Sequence, residues 1–344
     1  TKGAALTLKA DMYLDMASYA KFHKGQDATD LWKEAANAAK QVIDLNLYGL
    51  EDDFAYIFKA EANNNNKEVI LAFQYKEDEK THMLPILASP AGTGITGQGW
   101  ASFCPTRQLV DSYETTDGKT IYESDLYDKN NPWDNRDARL KKTFFLPGYE
   151  CLRPNGSYEP YMPHPAYNKD ERINHEGGGI TGYMYLKYND QELEKPGASW
   201  TNFSLYRYAE VLLIYAEALN EYDPNNTQIA WAVNQVRERA ELPGVDKLIG
   251  NQEAMREKIR EERRHEFVTE HKRYFDILRW KTAEKVLNEP GNGINKDEKA
   301  PIGDYTVEQF LGQNRTFDAS KHYLWPIPQS ARDKNPNLGQ NPNW

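Results

Sequence analysis

The segment NFSLYRYAEVLLIYAEALNE, Asn202 to Glu221, sets the terms for any fold this chain can adopt. Leu205, Tyr208, Leu212, Tyr215 and Leu219 recur at steps of three and four, which is one stripe of a helix, and Val211, Ile214 and Ala218 cover the adjacent face. A helix that is apolar over most of its circumference has to be enclosed by other helices, so this one is expected at the centre of the core. Arg207, Glu210 and Glu217 interrupt the apolar wall. Because an unpaired buried charge is costly, these three are expected to form ion pairs with neighbouring helices.

The remaining helical periods arrange themselves around that segment. Ala4, Ala5, Leu8, Met12 and Tyr19 predict a helix over 4–20. Leu31, Ala35, Ala38, Val42 and Leu45 predict a second over 30–46, with Asp30 as its cap. A short strand follows where Val69, Leu71 and Phe73 alternate. The central helix is placed at 204–221, with a partner over 226–241 carrying Ile229, Val233, Val236 and Ala240, and a long helical stretch over 252–287 breaks near His271. The two pairs, 4–20 with 30–46 and 204–221 with 226–241, carry alanines at contact positions and look like tetratricopeptide-type units. From Met83 to Ser199, Gly, Pro, Asn and Asp recur every few residues and no long helical period survives, yet the segment is too aromatic for a disordered linker. The expected fold is therefore mainly α, an α-α superhelix of helix pairs with a large loop-rich insertion and a few short strands. Within one domain over 1–344, the divisions are a helix pair in 1–60, the insertion at 83–199, a helical core at 200–288 and C-terminal loops at 289–344.

Several function classes are disfavoured at this level. A formal charge of −10 argues against a phosphate-backbone binder, so no nucleic-acid partner is expected. Cys104 and Cys151 form no zinc or CxxC pattern and leave open one disulfide or none. There is no run of about 18 apolar residues, and so no transmembrane segment is expected. The opening TKGAALTLKADMYL is not a signal peptide, which implies a cytoplasmic protein or a targeting segment already removed. GTGITG from Gly92 and GGGITG from Gly177 both fit GxGxxG, but Gly182 leads into the strand-like YMYLKY, so they read as turns. His265 and His271 are six apart and share no helical face, and no metal is assigned. Glu261, Glu262 and Glu266, set among Arg260, Arg263 and Arg264, read as an ion-pair ladder on a helix surface.

Four long motifs, RYAEVLLIYAEALNE, AVNQVRERAELPGV, IREERRHEFVTEHKRYFDILRW and YLWPIPQSARDKNPNLGQNPNW, resemble in order and spacing the SusD/RagB family, nutrient-binding surface lipoproteins of Gram-negative bacteria. CPTRQLVDSYETTDGK, NRDARL and the opening TKGAAL extend the resemblance over nearly the whole chain. It implies a tetratricopeptide-like protein, lipid-anchored on the outward face of the cell outer membrane, that binds a glycan and delivers it to a SusC-type TonB-dependent transporter. In that picture the helices face the transporter and the loops hold the ligand, with no catalysis and no cofactor. The family's signal peptide, lipidated cysteine and a further helical segment precede the point where this sequence starts, so a truncated form is expected. His271 stands where the family commonly has Gly, Trp344 where it commonly has Tyr, and Ser330-Ala331-Arg332 departs from its acidic turn. The alternative is a tetratricopeptide-like adaptor that binds peptides or proteins in a helical groove.

Glycan binding directs attention to the aromatic residues, which include 22 tyrosines, too many for all to be buried in so hydrophilic a chain. Trp32, Trp231 and Trp280 lie on helical periods and are expected in the core or at helix contacts. Trp100, Trp133, Tyr149, Tyr158, Tyr161, Tyr167 and Trp200 lie in Gly- and Pro-rich segments. Sugar rings present apolar C–H faces that lie on aromatic planes, while their hydroxyls need polar side chains beside those planes. The candidate platform is Trp100, Trp133, Tyr149, Tyr158, Tyr161 and Trp200, with Asp134 and Asn135 as polar neighbours of Trp133. The competing expectation is that these rings pin loops to the scaffold. Arg136, Asp137 and Arg139 of NRDARL are expected to be structural.

Overall fold

The computed structural model describes residues 1–167, 169–172, 178–294, 307–309 and 315–344. Helix α1, Lys2–Ser18, starts at Thr1, whose hydroxyl accepts a hydrogen bond from the Ala4 amide at 3.2 Å. Helix α2, Thr29–Asp44, stops where Asn46 takes the left-handed conformation. Asp30 lies in the first turn of α2, not at its cap. Helix α3, Tyr208–Tyr222, is the predicted centre: every residue from Tyr208 to Glu221 is buried. It packs against α1, α2, α4 (Gln228–Arg239) and α5 (Gln252–Glu266), in one apolar cluster that includes Leu14, Trp32, Val42, Leu212, Val233 and Ile259. The two pairs pack internally and meet through α2 and α3. Helix α6, Arg273–Arg279, follows a break at which Thr269 and His271 both have positive φ.

One boundary shifts, and the covered faces are those of the smaller residues. The central helix does not begin at 204, because Phe203–Arg207 is a strand (β6) paired antiparallel with β1, Val69–Phe73. An unpaired β1 would leave ladder groups without partners, and this pairing outweighs the helical period of the segment. Within β1, Ile70 is buried while Leu71 and Phe73 are exposed, so the alternation marks the outer face. On α1, likewise, Leu8, Met12 and Met16 point outward, and the inner face is Gly3, Thr7, Ala10, Leu14 and Ala17. Small residues there let α2 approach closely, and a Cβ on Gly3 would lie 2.3 Å from the Tyr48 hydroxyl. Trp32 and Trp280 are buried, but Trp231 is 39% exposed.

The segment 83–199 is ordered loop structure with short helices at Leu84–Ala88, Arg107–Ser112 and Leu140–Thr143. Its strands pair in twos: β2 (Phe144–Phe145) with β5 (Met184–Tyr185), and β3 (Glu150–Leu152) with β4 (Tyr158–Pro160). Near the C-terminus, β7 (Asn292–Ile294) pairs with β8 (Val307–Gln309). Cys104 and Cys151 are both free thiols.

Buried ion pairs tie the insertion to the helices. Arg139 holds Asp137 at 2.7 Å, Glu262 at 2.5 Å and Glu266 at 2.8 Å, and Arg237 reaches Glu262 at 3.1 Å. Glu266 also accepts from Arg207 and Arg239. Burial would raise the Glu266 carboxyl, but Arg239, Arg207 and Arg139 hold it well below the usual carboxylate range. Glu262 and Glu266 are therefore not rungs of a surface ladder. Only outer pairs such as Arg260 with Glu257 and Lys258 with Glu261 fit that description. Glu210 pairs with Lys272 and Glu217 with Arg279, as the central helix required.

Candidate functional site

The β3–β4 hairpin turns through Arg153-Pro154-Asn155-Gly156-Ser157. Gly156 adopts φ +81°, which an L side chain rarely takes, and the Asn155 side-chain oxygen accepts from the Ser157 amide at 3.0 Å and hydroxyl at 2.7 Å. The Arg153 guanidinium fixes the hairpin in place. It donates to the carbonyls of Gly92 at 3.0 Å and Pro160 at 2.7 Å, and to Glu171 at 2.8 Å. On this anchored element Tyr158 is 61% exposed.

Tyr158 and the half-buried Tyr149 line one cavity of about 250 Å³. The rest of its lining comes from the segment at Ala55–Lys59, from Lys141 and Lys142, and from Leu186–Glu192. Gln191 is held against the hairpin, its side-chain oxygen accepting from the Leu152 amide at 2.9 Å. Lys141 and Lys142 sit in exposed ion pairs with Asp134 and Asp53, each at 2.9 Å. Behind the wall Lys187 is fully buried, 2.6 Å from Glu270, with Phe58 ring atoms below its ammonium. Burial draws this lysine down to about 8, against the opposing pull of Glu270. Two tyrosines flanked by amide, carboxylate and ammonium groups can stack on a sugar and hydrogen-bond its hydroxyls.

The other predicted platform residues are dispersed. Tyr161 is fully buried beneath the hairpin, with its ring 5.9 Å from Phe145, and offers no face to a ligand. It lies three residues from Tyr158, an odd separation that places the two on opposite sides of an extended strand. Trp133 is half-buried: its indole N–H donates to the Pro147 carbonyl at 2.8 Å and its ring meets the Tyr183 edge at 6.2 Å, so it pins its loop. Asn135 has positive φ and donates to the Leu126 carbonyl at 3.3 Å, as a turn residue does, while Asp134 serves Lys141. Trp100 is 55% exposed and lies outside the tyrosine cavity. Trp200 is half-buried and lines a separate depression with Tyr75, Asn63, Asn64 and Gln74. Arg136 donates to the carbonyls of Pro132, Val110 and Tyr113, the structural role expected for it.

Lys59, Asn189 and Gln191 were not singled out from sequence; no spacing marks residues that meet only when distant loops pack. A larger cavity, about 870 Å³, is walled chiefly by Met83, Leu87, Phe103, Ile180 and Tyr185. Of its two histidines, His82 already uses both ring nitrogens, on the Thr201 carbonyl at 2.9 Å and the Leu84 amide at 3.2 Å. It contains no predicted site residue and is poor in the amides that sugar hydroxyls need. Gly177, the first residue of the second GxGxxG match, lies outside the described residues.

The SusD family profile matches residues 56–344. A SusD-like protein of Formosa agariphila is 28% identical over 305 residues, covering 85% of this chain and 51% of the relative. A crystal structure of a SusD-like carbohydrate-binding protein from Bacteroides fragilis is 29% identical with a TM-score of 0.80, and the match covers 98% of this chain and 64% of that one. A second SusD-like protein of Bacteroides fragilis is 25% identical with a TM-score of 0.79, covering 100% of this chain and 65% of that one. The chain thus spans about half the length of the curated relative and under two-thirds of these solved structures. Among the described residues no helix is long and apolar enough to cross a membrane.

Proposed function

Because the chain belongs to the SusD family, we propose that it captures oligosaccharide at the cell surface and passes it to a SusC-type TonB-dependent transporter. In this reading the full-length protein is lipid-anchored on the outward face of the outer membrane. The observation that carries the binding role is the Tyr149–Tyr158 cavity, where two rings and several polar side chains converge on a hairpin fixed by Arg153. The solved relative described as carbohydrate-binding supports the ligand class. The role is binding without chemistry, and the polar groups of the cavity serve to orient hydroxyls.

Affinity electrophoresis followed by calorimetry, with plant, host and microbial polysaccharides, tests this directly. At least one polysaccharide is expected to bind wild-type protein and to bind Tyr158→Ala at least about fivefold more weakly. Binding to none of them would return the chain to the adaptor reading. For the transporter, charge reversals on the outer faces of the helix pairs should weaken co-purification and spare glycan affinity. Equal effects on both readouts would contradict that division.

A further inference from the structure

We propose that the depression at Trp200 is a second saccharide subsite, and that the ligand is an extended oligosaccharide reaching from it to the tyrosine cavity. This rests on the glycan-binding reading above and adds the ligand's length and a second contact point.

No described residue lines both depressions, but their walls adjoin in sequence. Lys59 lines the tyrosine cavity and Asn63 lines the Trp200 depression. Four residues apart, their Cα atoms are separated by at most about 14 Å even in a fully extended chain. The intervening Ala60–Ala62 is a 3₁₀ turn, whose rise of about 2 Å per residue brings them to roughly 8 Å. The walls of the two depressions therefore adjoin along one stretch of chain, as a single linked glycan that touches both requires.

The second depression is built, not incidental. The Asn63 side-chain nitrogen donates to the Trp200 carbonyl at 2.8 Å, its oxygen accepts from the Asn202 amide at 2.6 Å, and the Asn202 side-chain oxygen accepts from the Tyr75 amide at 2.8 Å. Both rings are therefore positioned through Asn63. Of the eight indole N–H groups, four, those of Trp133, Trp280, Trp325 and Trp344, are committed to partners within the chain. Trp200, half-buried, makes no such bond among the described residues and leaves its N–H for a ligand. Lys80 lies 5.5 Å over the Tyr75 ring, so Trp200 supplies the principal stacking face. The depression, about 550 Å³, has two lysines and two glutamates in balance beside its amides, a lining suited to an uncharged polyhydroxyl ligand.

Two linked subsites make binding of a long chain effectively bivalent, so length raises affinity beyond either subsite alone. The test takes xylan, pectic galactan, laminarin and starch, and for any that is retained a ladder of its oligosaccharides in calorimetry. Short members should bind with a stoichiometry of two per protein, and longer ones with a stoichiometry of one and at least tenfold tighter. Trp200→Ala and Tyr158→Ala should each remove that gain for the long chains while leaving a single short-chain site. Should Trp200→Ala melt early, Asn64→Lys obstructs the same depression from an exposed position and carries the test. Long-chain affinity unchanged in both Trp200→Ala and Asn64→Lys, but lost in Tyr158→Ala, would overturn the second subsite while leaving glycan binding intact. Wild-type protein that retains none of the four polysaccharides would count against the glycan reading, and this inference would fall with it.

Discussion

Arg207 and Glu68 meet at 2.7 Å with both side chains buried, joining the last residue of β6 to the residue just before β1. The same guanidinium reaches Glu270 at 2.8 Å and also pairs with Glu266. Removing it leaves three carboxylates short of a partner in the interior. Arg207→Met should therefore lower stability by about 3–5 kcal/mol, the usual cost of breaking a buried ionic cluster from one side. Urea unfolding measures this, and a loss below about 1 kcal/mol would show that the cluster relaxes around the gap.

Tyr158 and Tyr161 should separate binding from stability. Tyr158→Ala removes an exposed ring and should change stability by less than about 0.5 kcal/mol. Its glycan affinity should fall by about 1–3 kcal/mol, by analogy with aromatic hot spots and stacked bases. Tyr161→Ala empties a buried site and should cost about 3–5 kcal/mol of stability. Thermal melts and calorimetry on both variants check the pair, and the reverse pattern would assign the ligand-facing role to the wrong ring.

Lys187 gives a pH signature. Burial lowers its ammonium from 10.5 to about 8, so between those values the folded protein holds fewer protons than the unfolded chain. Its contribution to stability must then rise with pH through that window, and the destabilisation it causes is fully present below pH 8. Lys187→Met removes the effect. Urea midpoints of both proteins, from pH about 7 to about 10 where tyrosine ionisation begins, should show the wild-type-minus-variant difference increasing. A flat difference would mean that the ammonium is not desolvated in solution.

The thiols should be inert in the native protein. Cys151 is buried and pushed up to about 12, chiefly by that burial, and its Sγ lies 3.4 Å from the Glu159 carbonyl. A disulfide reagent should find two free thiols after unfolding without reductant, and no reaction at Cys151 before it. Zero thiols under those conditions would indicate the bridge that the sequence left open.

Patterns that depend on local periodicity were readable in advance. Leu212, Val233 and Ile259 fall in the core because helical spacing fixes which face is apolar. What periodicity does not encode is which of two faces is covered: Leu8 and Met12 obey the helical spacing yet lie outside, because the residues of α1 that mate with α2 are mostly small, and on β1 Leu71 and Phe73 alternate yet face outward while Ile70 is buried. Charges posed the same difficulty. Glu262 and Glu266 sit at spacings that suit a surface ladder, but their partners Arg139 and Arg237 come from 123 and 25 residues away. The candidate site was legible as a class of residue in a class of segment. Which rings converge depended on strand parity and loop packing, and so Tyr149 and Tyr158 share a cavity while Trp133 and Tyr161 secure the loops beneath.

The buried charges also set a schedule for biosynthesis. Arg139, Lys187 and Arg207 emerge from the ribosome before Glu262, Glu266 and Glu270, their counter-charges on and just after α5. Until that stretch has been made, closing the insertion onto the early helices would enclose Lys187 without a carboxylate and leave Arg139 and Arg207 with only Asp137 and Glu68, so collapse of this region waits for it. A nascent chain halted before residue 262 should remain protease-sensitive throughout 83–199 even with α1 and α2 complete, and acquire protection in one step once α5 is available.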